Sequence, residues 1–239
     1  MKIILIIIFS FITLNAQSEF IIMMSGGAEW VPTDVDGNTL AYYDGDVGLT
    51  TAGWEDQFST HDIVFTNSPT IVTGASPTRD AVRFNGTDES GVIATPTTNQ
   101  PYTIYIVVNS VSWASNDVVF DDGVVTGTKR LYQATSSPNL NFFTEAVVSG
   151  NPDLAIGTWG VMTVVVNGAS SELRTNLEAA VTSNQGTTNS AGITIAARTG
   201  NSFNGNIECA YLIIRTGADA TATQNIIINN LATLCGLTF

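Results

Sequence analysis

Histidine, cysteine and positive charge are all scarce in this chain of 239 residues: one His, two Cys, and eight Lys plus Arg set against 21 Asp plus Glu. Each shortage removes a class of function. A formal net charge of −13, with eight Lys and Arg from which to build a basic patch, argues against nucleic acid or an anionic membrane surface as partner, since both are bound by neutralising phosphates. One His and two separated Cys cannot build a His/Cys metal centre. His61, within Phe58-Ser-Thr-His-Asp62, would have to serve any Ser-His-Asp mechanism. No Gly-x-Ser-x-Gly elbow accompanies it, so the expectation is a surface histidine. A Gly-x-x-x-x-Gly-Lys phosphate loop is also missing. No Pro/Gly/Ser-rich linker and no internal repeat divides the chain, and the even spacing of its strand-like runs favours one domain.

Hydrophobic residues make up 44% and charged residues only 12%. Thr, Ser, Asn and Gly fill much of the rest, a balance typical of all-β extracellular chains. Met1-Lys2 followed by the apolar run Ile3 to Leu14 and then Ala16 reads as a signal peptide over residues 1–17, the alternative being a retained N-terminal hydrophobic segment. The apolar run is too short to span a bilayer, so no membrane span is expected in the mature chain. Residues 18–239 are left as one domain, secreted or exposed on a surface. In an oxidising compartment Cys209 and Cys235 are expected to pair, or else to serve as two small buried apolar residues.

Strands follow from the apolar pattern. Pro101 to Asn109, Trp159 to Asn167 and Phe203 to Thr216 read as long strands, and Arg130 to Gln133, Asn139 to Phe143, Ser171 to Thr175 and Gly192 to Ala197 as shorter ones. Phe20 to Met24 reads as a first strand. The Phe203 strand is apolar on both faces and therefore belongs in the middle of a layered structure. After it the period changes. Asp219 or Thr221 can cap a helix carrying Ile227, Ile228, Leu231 and Leu234, with Gly236 placed for a left-handed C-terminal cap. The predicted fold is all-β: a two-sheet antiparallel jelly-roll sandwich with one short C-terminal helix.

The run Phe203-x-Gly205-x-Ile207, the strand and helix ending Leu231-Ala-Thr-Leu-Cys-Gly236-Leu, and Trp159-x-Val-x-Thr-Val-Val-Val-Asn-Gly168 resemble the closing half of a concanavalin A-like, or laminin G-like, jelly-roll domain. Such domains occur in secreted bacterial proteins and phage virion proteins. Trp54-x-Asp56-x-Phe58 resembles the family's Trp-x-Asp element, which implies that Trp54 is buried. The family includes glycoside hydrolases, whose laminarinase-type signature Glu-x-Asp-x-x-Glu places three acids on one strand face. No Glu-x-Asp occurs in this chain. The expectation is therefore a recognition module without catalysis, not an enzyme, with a glycan or a surface protein as partner. The alternative is a structural or adhesive protein of a virion or cell surface, assembled into a larger particle; the third reading, an atypical glycan-cleaving enzyme, lacks its carboxylates.

Two groups of residues stand out as candidate sites. Trp113, in a polar loop, with Asp121, Asp122 and Tyr132, could form a sugar site of one stacking aromatic and hydroxyl-fixing oxygens. The plainer role for Trp113 is to cover the end of the sandwich. Asp34-Val-Asp36-Gly-Asn38 alternates oxygen side chains as a Ca2+ loop does, although Thr39 and Gly45 stand where an EF-hand needs Gly and Glu. An Asx-rich surface turn is the plainer reading.

Overall fold

A computed structural model describes residues 29–93, 98–123, 129–135, 137–143, 147–148 and 153–239. The expected signal peptide 1–17 and the Phe20–Met24 strand lie outside the described residues. Val31–Phe239 forms one compact unit. Its first strands are β1 (Thr39–Asp44), β2 (Gly53–Trp54), β3 (Ile63–Thr66), β4 (Thr70–Ser76), β5 (Arg79–Arg83) and β6 (Ser90–Ile93). β7 (Tyr102–Ser110), β8 (Val118–Asp121), β9 (Arg130–Gln133), β10 (Leu140–Phe143) and β11 (Val147–Val148) follow. The chain closes with β12 (Trp159–Val166), β13 (Ser171–Thr175), β14 (Val181–Ser183), β15 (Ile193–Ile195), β16 (Ile207–Thr216) and helix α1 (Thr221–Leu234).

The strands form two antiparallel sheets. The first runs β14-β13-β12-β7-β16-β5-β4, with β1 also paired to β16, and the second runs β11-β10-β9-β8-β15-β6-β3-β2. β16 is the axle of the first sheet. One edge pairs with β7 along its whole length, and the other is shared between β5, at Glu208 and Cys209, and β1, from Tyr211 to Arg215. A bulge at Ala210 separates those two partners, and the Ala210 carbonyl accepts the Gly45 amide at 3.0 Å. Side chains on one face of β7, Ile104, Ile106 and Val108, join Ile195, Phe120, Leu131 and Phe142 of the second sheet in the core. The alternate residues Tyr105 and Val107 are buried as well. That second face accounts for the apolar face of α1, whose Ile227, Ile228 and Leu231 are buried and which packs on β12. A strand apolar on both faces thus lies between a sheet and a helix, as its sequence requires.

Two local expectations change. The β16 strand begins at Ile207, not Phe203. Phe203 and Asn201 have positive φ, which interrupts extended pairing, and the Gly205 amide turns to the Ala196 carbonyl at 2.7 Å. Helix α1 is capped by Ala220 without a side-chain bond, because Asp219 is committed elsewhere: it takes the Arg215 Nε–H at 2.7 Å and the Tyr105 hydroxyl at 2.7 Å. Gly236 does adopt the left-handed cap, with φ of 65° and the Leu237 amide on the Ala232 carbonyl. Trp54 is buried and donates its indole N–H to the Asp44 carbonyl at 2.8 Å.

Candidate functional site

The outward face of the second sheet gathers a cation, two aromatic rings and an amide in one group. On β9, Leu131 points into the core, so Arg130 and Tyr132 point out; on β10, Leu140 and Phe142 point in, and Asn141 and Phe143 point out. Register completes the group, because Phe143 lies opposite Arg130 and Asn141 opposite Tyr132. The Arg130 guanidinium sits 5.0 Å from the Phe143 ring centre and 5.6 Å from that of Tyr132, and Asn141 donates to the Tyr132 hydroxyl at 3.4 Å. All four residues are half-buried: held by the sheet, yet open to solvent.

The same row continues across the sheet through paired residues Arg130, Asp121, Thr194, Val92 and Val64. Its middle is roofed. Thr199 donates its hydroxyl to Asp121 Oδ1 at 2.7 Å, and Asn201 and Asn204 anchor the roof to the Asp88 and Glu89 carbonyls. Beyond the roof Val64 is exposed again, at 65%. Phe203 is 48% exposed at a φ of 55°. A bulky residue in that region stores strain, and here its carbonyl is held by the Val118 amide at 2.9 Å.

The sequence-based sugar site comes apart in this geometry. Trp113 and Tyr132 lie at one end of the β8–β9 ladder, where Val118 faces Tyr132, whereas Asp121 lies at the other end, opposite Arg130. Trp113 packs on the core and donates its indole N–H to the Ala134 carbonyl at 2.9 Å, so it covers the sandwich end. Asp121 and Asp122 are fully buried. Asp122 pairs with the equally buried Lys129 at 3.4 Å, and Asp121 Oδ1 also takes the Gly123 amide. Neither carboxylate presents an oxygen at the surface. Arg130, Asn141 and Phe143 were invisible to motif reading, because only the pairing of β9 with β10 gathers them.

The Asp34–Asn38 turn does not fit a Ca2+ ion. Asp34 Oδ2 accepts the Val31 amide at 3.0 Å, and Asp36 Oδ1 accepts the Asn38 amide and the buried Arg215 guanidinium, the latter at 2.7 Å. Burial would raise the Asp36 carboxyl, but the Asn38 and Arg215 bonds outweigh it and hold it below the usual carboxylate range. The cation this turn meets is the chain's own arginine. Cys209 and Cys235 are buried free thiols, which corrects the expected disulfide. Cys209 belongs to the core between the sheets, whereas Cys235 ends the helix that covers the other face of the first sheet.

His61 comes close to Ser59 and Asp56, but not as a relay. Ser59 Oγ contacts both His61 Nδ1 and Asp56 Oδ2, and His61 Nδ1 is itself 3.4 Å from Asp56. A triad needs the acid and the nucleophile on different ring nitrogens, and here both crowd one. Burial would raise the Asp56 carboxyl, yet bonds from Ser59 and from the Phe58, Tyr42 and His61 amides outweigh it and depress it. The arrangement clips the loop after β2.

No family model and no curated protein matches this chain. Solved structures do. A Trypanosoma rangeli sialidase in complex with 2,3-difluoro-KDN superposes with a TM-score of 0.65 at 8% identity, over 83% of this chain and 33% of the sialidase. The binding domain of Paraclostridial Mosquitocidal Protein 1 gives 0.64 at 14% identity, over 82% of this chain and 53% of that one. Domain 4 of AbnA, an extracellular arabinanase from Geobacillus stearothermophilus in complex with arabinotriose, gives 0.58 at 12% identity, over 80% of this chain and 98% of the domain. The chain spans about a third of the length of the sialidases it resembles. At these identities the likeness is one of fold alone, the antiparallel two-sheet β-sandwich.

Proposed function

We propose that this protein is a non-catalytic, secreted or surface-exposed glycan-binding module of concanavalin A-like, laminin G-like type. Its binding surface is the outward face of the second sheet at Arg130, Tyr132, Asn141 and Phe143. The observation that carries the reading is that group itself. Two aromatic rings offer flat apolar surface for a sugar ring, while Asn141 and Arg130 offer hydrogen bonds to its hydroxyls. The arabinotriose-bound AbnA domain, which this chain matches over almost its whole length, supports a sugar-binding role for the same architecture. A sheet face also suits recognition better than turnover: its side chains are fixed by the pairing beneath them, and among the described residues no two carboxylates are presented together there.

A glycan array that includes arabino-oligosaccharides tests the reading, followed by titration of each hit against Tyr132→Ala and Phe143→Ala. Loss of one stacking ring costs about 1 kcal/mol, so affinity is expected to drop about fivefold while the melting temperature moves little. Hits that bind both variants as tightly as the wild type would move the site elsewhere. Reducing-sugar release from a polysaccharide panel would overturn the non-catalytic assignment.

A further inference from the structure

In a chain so short of positive charge, the pairing of each cation is informative. Among the described residues Arg79 contacts Asp44 and Asp46, Arg83 contacts Glu208, Lys129 contacts Asp122, and Arg215 contacts Asp36 and Asp219. Arg174 gives its Nε–H to the Glu178 carbonyl and its Nη1 to Gln224. Arg174 thus has polar partners without a carboxylate, whereas Arg130 and Arg198 have neither a carboxylate partner nor a side-chain hydrogen bond among the described residues, although the chain holds 21 acids. Arg198 immediately precedes Thr199 of the roof, and Arg130 lies in the open group beside it.

Arg130 has a carboxylate near at hand and does not use it. Asp121 faces it directly across the β8–β9 ladder, yet no ion pair joins them. Asp121 is fully buried beneath Thr199, and both its Oδ2 and the Arg130 Nε lack hydrogen-bond partners. The guanidinium lies instead against the Phe143 and Tyr132 rings. Stacking of this kind fixes the plane of the fork; with Nε buried, the two terminal Nη groups are the in-plane donors left to a planar bidentate acceptor.

We propose that Arg130 selects a carboxylate-bearing sugar, so that the ligand of this face is a glycan carrying an isolated uronic or other acidic residue. The inference rests on the glycan-binding reading above. The carboxylate takes the terminal Nη–H donors of Arg130, Asn141 and the Tyr132 hydroxyl take sugar hydroxyls, and the rings take the apolar sugar face. A densely charged polyanion is disfavoured, because the chain's net charge of −13 repels it at long range.

The test uses probes that differ only in charge: glucuronic, galacturonic and N-acetylneuraminic acids beside the methyl ester of each, with a neutral oligosaccharide series run in parallel. Each is titrated into wild type, Arg130→Gln and Arg130→Lys and followed by amide chemical shifts, with a thermal melt of every variant as folding control. At least one acid is expected to bind about fivefold or more tightly than its ester, as a charge-assisted bidentate contact would give. Arg130→Gln should bring the acid down to the affinity of the ester, and Arg130→Lys, which keeps the charge but not the fork, should fall between them. Equal binding of acid and ester, or an acid preference that survives Arg130→Gln, overturns the inference alone and leaves a neutral-glycan module. If no acid, ester or neutral oligosaccharide shifts any amide, the glycan-binding reading falls and this inference with it.

Discussion

Trp113 shows how one side chain can look like a ligand platform and serve another purpose. Its ring packs on the core and its indole N–H is satisfied by the Ala134 carbonyl, so truncation opens a gap at the sandwich end and leaves that carbonyl unpaired. Trp113→Ala is expected to destabilise the fold by about 3 kcal/mol, read as a lower urea midpoint at unchanged slope, with glycan affinity unaltered wherever a hit is found. The two cysteines make a second prediction at this scale. Burial pushes the Cys235 thiol up to about 12 and the Cys209 thiol higher still. Thiolate is the reactive form. The native protein should therefore resist an alkylating reagent at pH 8, and the denatured, unreduced protein should give up two thiols by mass; a count of zero would restore the disulfide.

At the scale of elements, the return of the chain from β15 to β16 depends on a close approach. A Cβ on Gly205 would lie 2.3 Å from the Val118 carbonyl oxygen, and that atom is backbone, which cannot swing aside. The same short stretch aligns Phe203 with Val118 and starts β16 in register. Gly205→Ala should cost about 3 kcal/mol or more and should perturb the roof over Asp121 before it perturbs the first sheet. Hydrogen exchange would show this as faster exchange of the Val118 and Ala196 amides, with the β7–β16 ladder still protected. Uniform loss of protection across both sheets would contradict that order. A second element-level device joins β16 to α1: Arg215, fully buried, is satisfied by Asp219 and Asp36, and Asp219 also holds Tyr105. Asp219→Ala leaves the buried Arg215 Nε–H and the Tyr105 hydroxyl without their acceptor, with Asp36 as the one carboxylate still on the guanidinium, and should cost about 3 kcal/mol by equilibrium unfolding.

For the whole molecule, pH adds a signature. Burial raises the Asp117 carboxyl, in the loop before β8, to about 6, whereas an unfolded Asp titrates near about 4. Between those values the native chain holds a proton that the unfolded chain has released, so this group's contribution to stability falls as pH rises from about 4 to about 6, and the loss is complete above that window. Wild type should therefore lose stability relative to Asp117→Asn when denaturation midpoints are compared from pH 4 to pH 7. Parallel midpoints would reject the raised titration. No helix among the described residues is long and apolar enough to cross a membrane.

The sequence by itself determined the layers. Nine consecutive buried residues in β7 and the two-faced apolar pattern of β16 are legible as central strands, because burial on both faces leaves no polar alternation. The switch to helical spacing after Thr221, with Gly236 as stop, placed α1 in the same way. Only the tertiary structure decided what those layers present. Asp121 and Trp113 look exposed in sequence because they are polar or border polar loops, but a roof from residues 198–203 and a core contact bury the first and half-bury the second. Arg130, Tyr132, Asn141 and Phe143 become one surface because β9 and β10 pair in a particular antiparallel register. Pairing register is a relation between segments, and no local pattern of hydrophobicity or charge in either segment encodes it alone.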